Sequence, residues 1–322
     1  MNAGLIGRAR PDFVETAEVR ALTERALGYL GAGFGVNLEG PSGCGKSTLA
    51  LHLAAQLGRP LVLVSGDDGH GSRDLIGRQQ GFRRRKVVDN FIHSVLKIDE
   101  EHSDGWVDER LTTAVKNGYT LVYDEFTRSK AEANNVLLSV LEEGVLIFPS
   151  GGGQQAYQKV HPDFRAIFTS NPEDYAGVHR AQEALRDRLI NLRLEGFELE
   201  TETQIVAAKS AVEPVLAARV VALVRAIRAI TRFKVSHSVR AAVQIARVTA
   251  HRNLEVSSDD DAFVRVVLDV MLGGVGDEHE RARLTPQALE TIHRQLRVGG
   301  EHGKKRTSGQ RENGTALGHS PV

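Results

Sequence analysis

The spacing of hydrophobic positions changes along this chain, and the changes divide it. From Thr16 to Leu30 the apolar residues Val19, Leu22, Ala26 and Leu27 recur at helical intervals. Short apolar runs follow. Residues 34–38, 61–64, 120–123 and 165–169 each predict a buried strand, and 46–57 predict a helix between the first two. Runs of this kind separated by helices predict an α/β fold whose parallel sheet is covered on both faces. Two stretches break the alternation. Residues 70–86 are polar and rich in Gly and Arg, which predicts a mobile loop or insert. Residues 146–160 enclose Ser150-Gly151-Gly152-Gly153-Gln154, which predicts a hairpin with a flexible tip.

Beyond Gly196 the strand pattern ends. Leu216, Val220, Leu223, Ile227 and Ile230 fall on one helical face of 214–230. Further helices are predicted over 238–251, 259–272 and 286–298, the last with Thr285 as its cap and Pro286 at its first position. The predicted organisation is an α/β domain over 1–198, a small all-α domain over 199–298 and a disordered tail over 299–322, where apolar residues are nearly absent.

Composition narrows the chemistry. A hydrophobic share of 41% over 322 residues excludes a wholly disordered chain. Lys plus Arg and Asp plus Glu are 41 each, so the net charge is zero, which argues against a nucleic-acid coat. The run Arg83-Arg84-Arg85-Lys86 lacks interleaved aromatics and fits a solvated loop better than a nucleic-acid site. A single cysteine, Cys44, excludes an internal disulfide and the zinc sites that need two or more cysteines. The histidines show no metal spacing. No apolar stretch approaches a membrane span or a leader core, so the expectation is a cytoplasmic protein without membrane contact. The 214–230 stripe faces a helical core more simply than a bilayer.

The strongest chemical signal is Gly40-Pro41-Ser42-Gly43-Cys44-Gly45-Lys46-Ser47-Thr48, set between a strand and a helix. It fits the phosphate-binding loop G-x-x-x-x-G-K-[ST], whose glycines let backbone N–H groups curl around phosphate oxygens. Lys46 is then the phosphate charge partner and Ser47 a hydroxyl ligand for Mg2+, which makes ATP with Mg2+ the expected cofactor. Cys44 is either a redox-sensitive gate or a small residue that fits the turn, and the second is the simpler account.

A second constellation closes the strand Thr120-Leu121-Val122-Tyr123 with Asp124-Glu125. Beside the phosphate loop, Asp124 would hold Mg2+ and Glu125 would polarise an attacking water. Ser129 and Glu132 form a capping box for the next helix, which leaves both acids free for chemistry. Trp106 and the Asn134-Asn135 pair serve equally well as a partner surface or as packing. An ABC-transporter subunit would need its LSGGQ-like signature before the acidic strand, and here Ser150 to Gln154 come after it. A small-molecule kinase would need neither the acid pair nor a helical second domain.

Three more segments complete the pattern: the strand Ile167-Phe168-Thr169-Ser170-Asn171-Pro172, the stretch Ala184-Leu185-Arg186-Asp187-Arg188-Leu189, and Ser238-Val239-Arg240-Ala241. Together these resemble AAA+ ATPases. That resemblance implies a P-loop AAA+ domain followed by an all-α lid, Asn171 as the sensor that orients water, and Arg240 as a lid arginine toward the γ-phosphate. It also implies a trans-acting finger at Arg188, with Arg186 as the second candidate. By the same analogy the active form is a homo-oligomeric ring, six being the expected number; ATP is expected between the α/β domain and the lid, with adenine near Phe13 and Val14.

The order of acidic strand, helix, hairpin and sensor strand is similar to the MoxR branch. Residues 119–129, 132–143, 160–165 and 169–179 resemble gas vesicle protein N more narrowly. This likeness implies a cytoplasmic ATPase, also found on the gas vesicle, that serves gas vesicle formation or enlargement with the shell protein and other accessory proteins. Two alternatives stay open: a nucleotide-gated interaction protein with little turnover, and a MoxR-type chaperone for other clients.

Overall fold

A computed structural model describes residues 5–6, 13–67, 69, 72–80, 105–148, 157–171, 180–230 and 239–301. The chain divides into two compact units, Met1–Phe197 and Glu198–Val322.

The first unit begins with strand β1 (Leu5–Ile6), helix α1 (Ala17–Gly31), β2 (Gly35–Glu39), α2 (Lys46–Gln56) and β3 (Pro60–Ser65). Then come α3 (Ser72–Ile76), β4 (Gly77–Gln80), β5 (Gly105–Asp108), α4 (Arg110–Asn117) and β6 (Thr120–Asp124). A 3-10 turn over Phe126–Arg128 leads to α5 (Ala131–Glu142), β7 (Val145–Ile147), β8 (Tyr157–Lys159), β9 (Arg165–Ser170), α6 (Arg180–Asp187) and β10 (Leu189–Arg193). One sheet has the order β1-β3-β6-β9-β2-β10. Its last five strands are parallel, and β1 pairs antiparallel with β3 at the edge.

Alternation along the strands explains the two covering layers. Val122 and Ile167 join Leu38, Leu49, Leu53 and Leu30 in a core under α1 and α2. Their neighbours Leu121, Tyr123, Ala166 and Phe168 point the other way, into a core with Leu111, Phe126, Leu137 and Leu185 from the opposite helices. Insertion of β2 between β9 and β10 brings the carboxyl ends of β6, β9 and β2 side by side, where open α/β sheets form their crevice.

Several expectations are refined. Part of the 70–86 stretch is ordered as α3 and β4, with β4 paired antiparallel to β5; Arg83–Lys86 lie outside the described residues. The hairpin exists as β7 and β8, in register Val145 with Lys159, while Gly151, Gly152 and Gly153 lie outside the described residues. Strand β10 is an addition to the predicted set, an edge strand whose exposed positions include Asn191 and Arg193. The capping box is overturned. Lys130 is the N-cap of α5 and makes no side-chain cap, and Ser129 Oγ instead accepts from Tyr123 Oη at 2.7 Å and from the Asp67 N–H at 3.1 Å.

The second unit is helical: α7 (Leu199–Ser210), α8 (Pro214–Ile230), α9 (Val239–Arg252), α10 (Asp261–Leu272) and α11 (Glu278–Glu301). Val220, Leu223 and Ile227 of the α8 stripe are buried with Ile245, Phe263 and Ile292, so the stripe belongs to this core. Among the described residues no helix is long and apolar enough to cross a membrane. Helix α11 runs through Pro286 rather than starting there, and Thr285 Oγ1 donates back to the Arg281 carbonyl instead of capping. The same helix extends past Gly299 to Glu301; the rest of the predicted tail, 302–322, lies outside the described residues. Buried Glu202 accepts from Arg225 at 3.3 Å and Arg228 at 3.1 Å.

Candidate nucleotide site

The phosphate loop begins where β2 ends and closes at the N-terminus of α2. Gly45 caps that helix with φ 96°, a left-handed conformation that side chains resist, so glycine is required there. The first N–H groups of α2, from Lys46, Ser47 and Thr48, have no carbonyl a turn earlier in the helix and form an anion-receptive end. Lys46 is buried, and its Nζ donates to the carbonyls of Gly40 and Pro41 at 2.7 Å each, which folds the cation over the loop. Cys44 is 3% exposed, and burial pushes its thiol pKa up despite the nearby Lys46 charge. That environment fits the small-residue account of Cys44 better than a redox gate.

The acidic strand meets this loop through one carboxylate oxygen. Ser47 Oγ donates to Asp124 Oδ1 at 2.7 Å, and Thr169 Oγ1 donates to the same oxygen at 2.5 Å. Thr169 Oγ1 also accepts the Glu125 N–H at 2.8 Å. One fully buried hydroxyl on β9 therefore fixes both acids. Glu125 itself has φ 52° and ψ 42°, left-handed for a non-glycine residue, a strain of about 1–3 kcal/mol that surrounding bonds must hold. Gly66 donates to the Asp124 carbonyl at 2.7 Å and approaches the Glu125 carbonyl so closely that no Cβ would fit. The Glu125 carboxylate lies 2.7 Å from Arg128 Nη1.

Asn171 follows β9 directly, and its Oδ1 is buried without a hydrogen-bond partner among the described residues. The preceding Ser170 carbonyl accepts from the Gly40 N–H at 3.2 Å, which docks the end of β9 on the loop after β2.

The two finger candidates differ in commitment. Arg186 Nη2 donates to Glu39 Oε2 at 3.0 Å, and Glu39 is 5% exposed. Removing Arg186 would leave the buried Glu39 charge without this partner; for a fully buried pair such a loss costs about 3–5 kcal/mol, and the partial exposure of Arg186 makes that an upper bound. Arg188 Nε donates to Glu142 Oε2 at 2.6 Å, but that carboxylate is largely exposed, and exposed pairs are worth about 0–1 kcal/mol. Arg188 also donates Nη1 to the Ala184 carbonyl at 2.7 Å, so its partners are an exposed carboxylate and its own helix, whereas Arg186 is paired with the buried Glu39. Arg240 stands exposed in the first turn of α9, in the second unit. Phe13 stacks face to face on His52 of α2, with ring centroids 3.7 Å apart.

The site therefore joins Lys46, Ser47, Asp124, Thr169 and Glu125. The strand pattern assigns no role to Thr169, Glu39 or Arg128. A charged residue closing a buried strand just before Gly40 is the available signal for Glu39; Thr169 and Arg128 become visible only through the contacts they make.

Residues 35–189, which carry this geometry, match the family model of the AAA domain (dynein-related subfamily). The chain is similar to the gas vesicle ATPase GvpN of Ancylobacter aquaticus, 49% identical over 269 residues that cover 84% of this chain and 75% of that protein. It is also similar to the gas vesicle ATPase GvpN2 of Halobacterium salinarum, at 42% identity over 87% of this chain and 80% of that protein. A more distant similarity, 27% over 57% of this chain and 61% of that protein, is to protein CbbQ of Hydrogenophilus thermoluteolus.

Proposed function

Because the chain belongs to the GvpN family of gas vesicle ATPases, built on an AAA domain, we propose that it hydrolyses ATP to drive gas vesicle formation or enlargement. Its clients are the vesicle shell protein and the accessory proteins that act with it. The observation that carries the reading is the single oxygen Asp124 Oδ1, which receives both the phosphate-loop hydroxyl of Ser47 and the sensor-strand hydroxyl of Thr169.

In this mechanism the backbone of Gly40, Pro41, Ser42, Gly43, Cys44 and Gly45, with the amides of Lys46, Ser47 and Thr48, receives the phosphates. Lys46 supplies the positive charge. Ser47 and Asp124, a hydroxyl and a carboxylate, are hard oxygen donors that would hold Mg2+. When bound, the ion neutralises charge on the phosphate oxygens. Glu125 takes the proton as water oxygen bonds to the γ-phosphorus and the bond to the ADP oxygen breaks; Asn171 orients that water. Arg188 from a neighbouring subunit stabilises the transferring phosphoryl, and Arg240 of the lid reaches the γ-phosphate. A ring of identical subunits, six by analogy, acts in the cytoplasm and on the vesicle, without nucleic acid or membrane.

One observation favours a second reading, a nucleotide-gated interaction protein that turns over slowly: the Glu125 carboxylate is paired with Arg128 rather than free. The distant CbbQ-like similarity also leaves a MoxR-type chaperone with other clients as a reading, outweighed by the much higher identity to the gas vesicle proteins.

The deciding experiment measures phosphate release with MgATP across a protein concentration series. Specific activity should rise with concentration. Glu125→Gln should lose about 10²–10⁴-fold, and Arg188→Ala about 10³–10⁵-fold if the finger is shared. ATP binding without turnover in the wild type would favour the gated interaction protein. Loss of vesicles in cells carrying Glu125→Gln, with shell protein still made, would tie the activity to the vesicle; normal vesicles would sink that link.

A further inference from the structure

Two independent connections join the end of α6 to the floor of the phosphate site. The first is the pair of partly exposed Arg186 with buried Glu39, the residue that precedes Gly40. The second is a ladder of polar side chains across three strands. Asn191 Nδ2 donates to the Arg186 carbonyl at 3.1 Å, and Asn37 Nδ2 donates to Asn191 Oδ1 at 2.8 Å and to Ser170 Oγ at 3.0 Å. Ser170 in turn neighbours Asn171 and holds the Gly40 N–H through its carbonyl. Asn37, Ser170 and Thr169 are all fully buried, an unusual polar content for the centre of a parallel sheet. Buried polar networks are retained at a cost and specify one arrangement of what they join. Here the buried rungs join the phosphate loop and the sensor strand, and the exposed Asn191 extends them to the helix end that carries Arg188 two residues after Arg186.

We propose that Arg186 is a positioning residue: through Glu39 and the Asn191–Asn37–Ser170 ladder it ties the placement of Arg188 to the phosphate loop of its own subunit, and so couples one site to the next. This rests on the reading that Arg188 serves a neighbour's nucleotide. The occupied loop shifts Gly40 and its neighbours, Glu39 moves with them, and Arg186 carries the displacement to the finger. Arg188 can follow, because its links run to the exposed Glu142 and to the Ala184 carbonyl of the same helix end, which moves with it. Arg186 touches no substrate in its own subunit; its effect appears in the adjoining one.

Subunit mixing tests this. Arg186→Ala alone should lower turnover about 10- to 100-fold, the effect of misplacing a catalytic group by an ångström, while a fluorescent ATP analogue still binds. Mixed with Glu125→Gln subunits, which bring an intact finger but a dead site, Arg186→Ala subunits should regain activity. The control is the same mixture made with Arg188→Ala. Recovery with Arg188→Ala but none with Arg186→Ala means that Arg186 serves only its own loop, and the proposal fails while the shared site stands. No recovery in either mixture removes the shared site and the proposal with it. Wild-type turnover in Arg186→Ala also overturns it. Should Arg186→Ala fail to fold, Glu39→Gln, which keeps the shape and loses the charge, enters the same mixtures with the same expected recovery, and a failure to recover overturns the proposal there too.

Discussion

Thr169 Oγ1 lies 2.5 Å from Asp124 Oδ1 and donates to it, while accepting the Glu125 N–H at 2.8 Å. A methyl group in place of this hydroxyl would leave the Glu125 amide without this partner and the Asp124 oxygen held by Ser47 alone. Thr169→Val should therefore fold, yet lose about 10- to 100-fold in turnover or in affinity for Mg2+, as groups that orient metal ligands commonly do. Thr169→Ser should retain most activity. Phosphate release across a Mg2+ series checks both; equal curves for Thr169→Val and wild type would remove Thr169 from the site.

The ion pair of Glu125 with Arg128 is partly exposed, and such pairs are worth about 0–1 kcal/mol. Releasing the carboxylate should therefore change basal turnover only modestly. Arg128→Ala is expected to raise the basal ATPase rate by up to about fivefold, since 1 kcal/mol corresponds to that factor. A fall instead of a rise would mean that Arg128 positions Glu125 for chemistry rather than restraining it.

Much of the first unit is legible because its signals are local. The loop from Gly40 to Ser47, the acids after β6 and the buried strands β2, β3, β6 and β9 are each written in a few consecutive residues. Strand β10 is not, since an edge strand needs no continuous apolar run and Asn191 and Arg193 interrupt it. The capping box at Ser129 fails for a related reason. A Ser followed three residues later by Glu is a local pattern, but the hydroxyl has stronger tertiary partners in Tyr123 and Asp67. Proline suits the first position of a helix, yet Arg281 to Thr285 are already helical and the chain continues through Pro286. The pairing of Arg186 with Glu39 spans 147 positions, so no sequence window contains it.

Cys44 provides a test of the loop's interior. Its thiol is buried, and burial raises its pKa, so the reactive thiolate is scarce at neutral pH. Native protein should react with an aromatic disulfide reagent far more slowly than unfolded protein, and Cys44→Ala should keep nucleotide binding. The raised value also carries a stability term. It is fully present below the ordinary thiol pKa and is lost as pH rises, because the unfolded thiol ionises first. Rapid labelling of the native state would restore the redox gate.

His52 bears on the segment that enters the fold ahead of α1. It is 6% exposed, its two ring nitrogens have no hydrogen-bond partner among the described residues, and its face is covered by Phe13. Burial lowers its pKa, and the nearby Glu15 charge opposes this only in part. The folded state therefore holds the neutral ring, whereas an unfolded histidine takes a proton near its ordinary value of about 6.5. Stability from this site is fully present above that value and falls as pH drops through it toward the lower folded pKa. His52→Phe preserves a ring against Phe13 and removes the titration. Melting temperature measured from about pH 7.5 to about pH 5 should decline more steeply in the wild type than in His52→Phe, because one protonation fewer then favours unfolding. Parallel curves would show that His52 is protonated as readily in the folded chain as outside it, and that the stack on Phe13 does not hold it neutral.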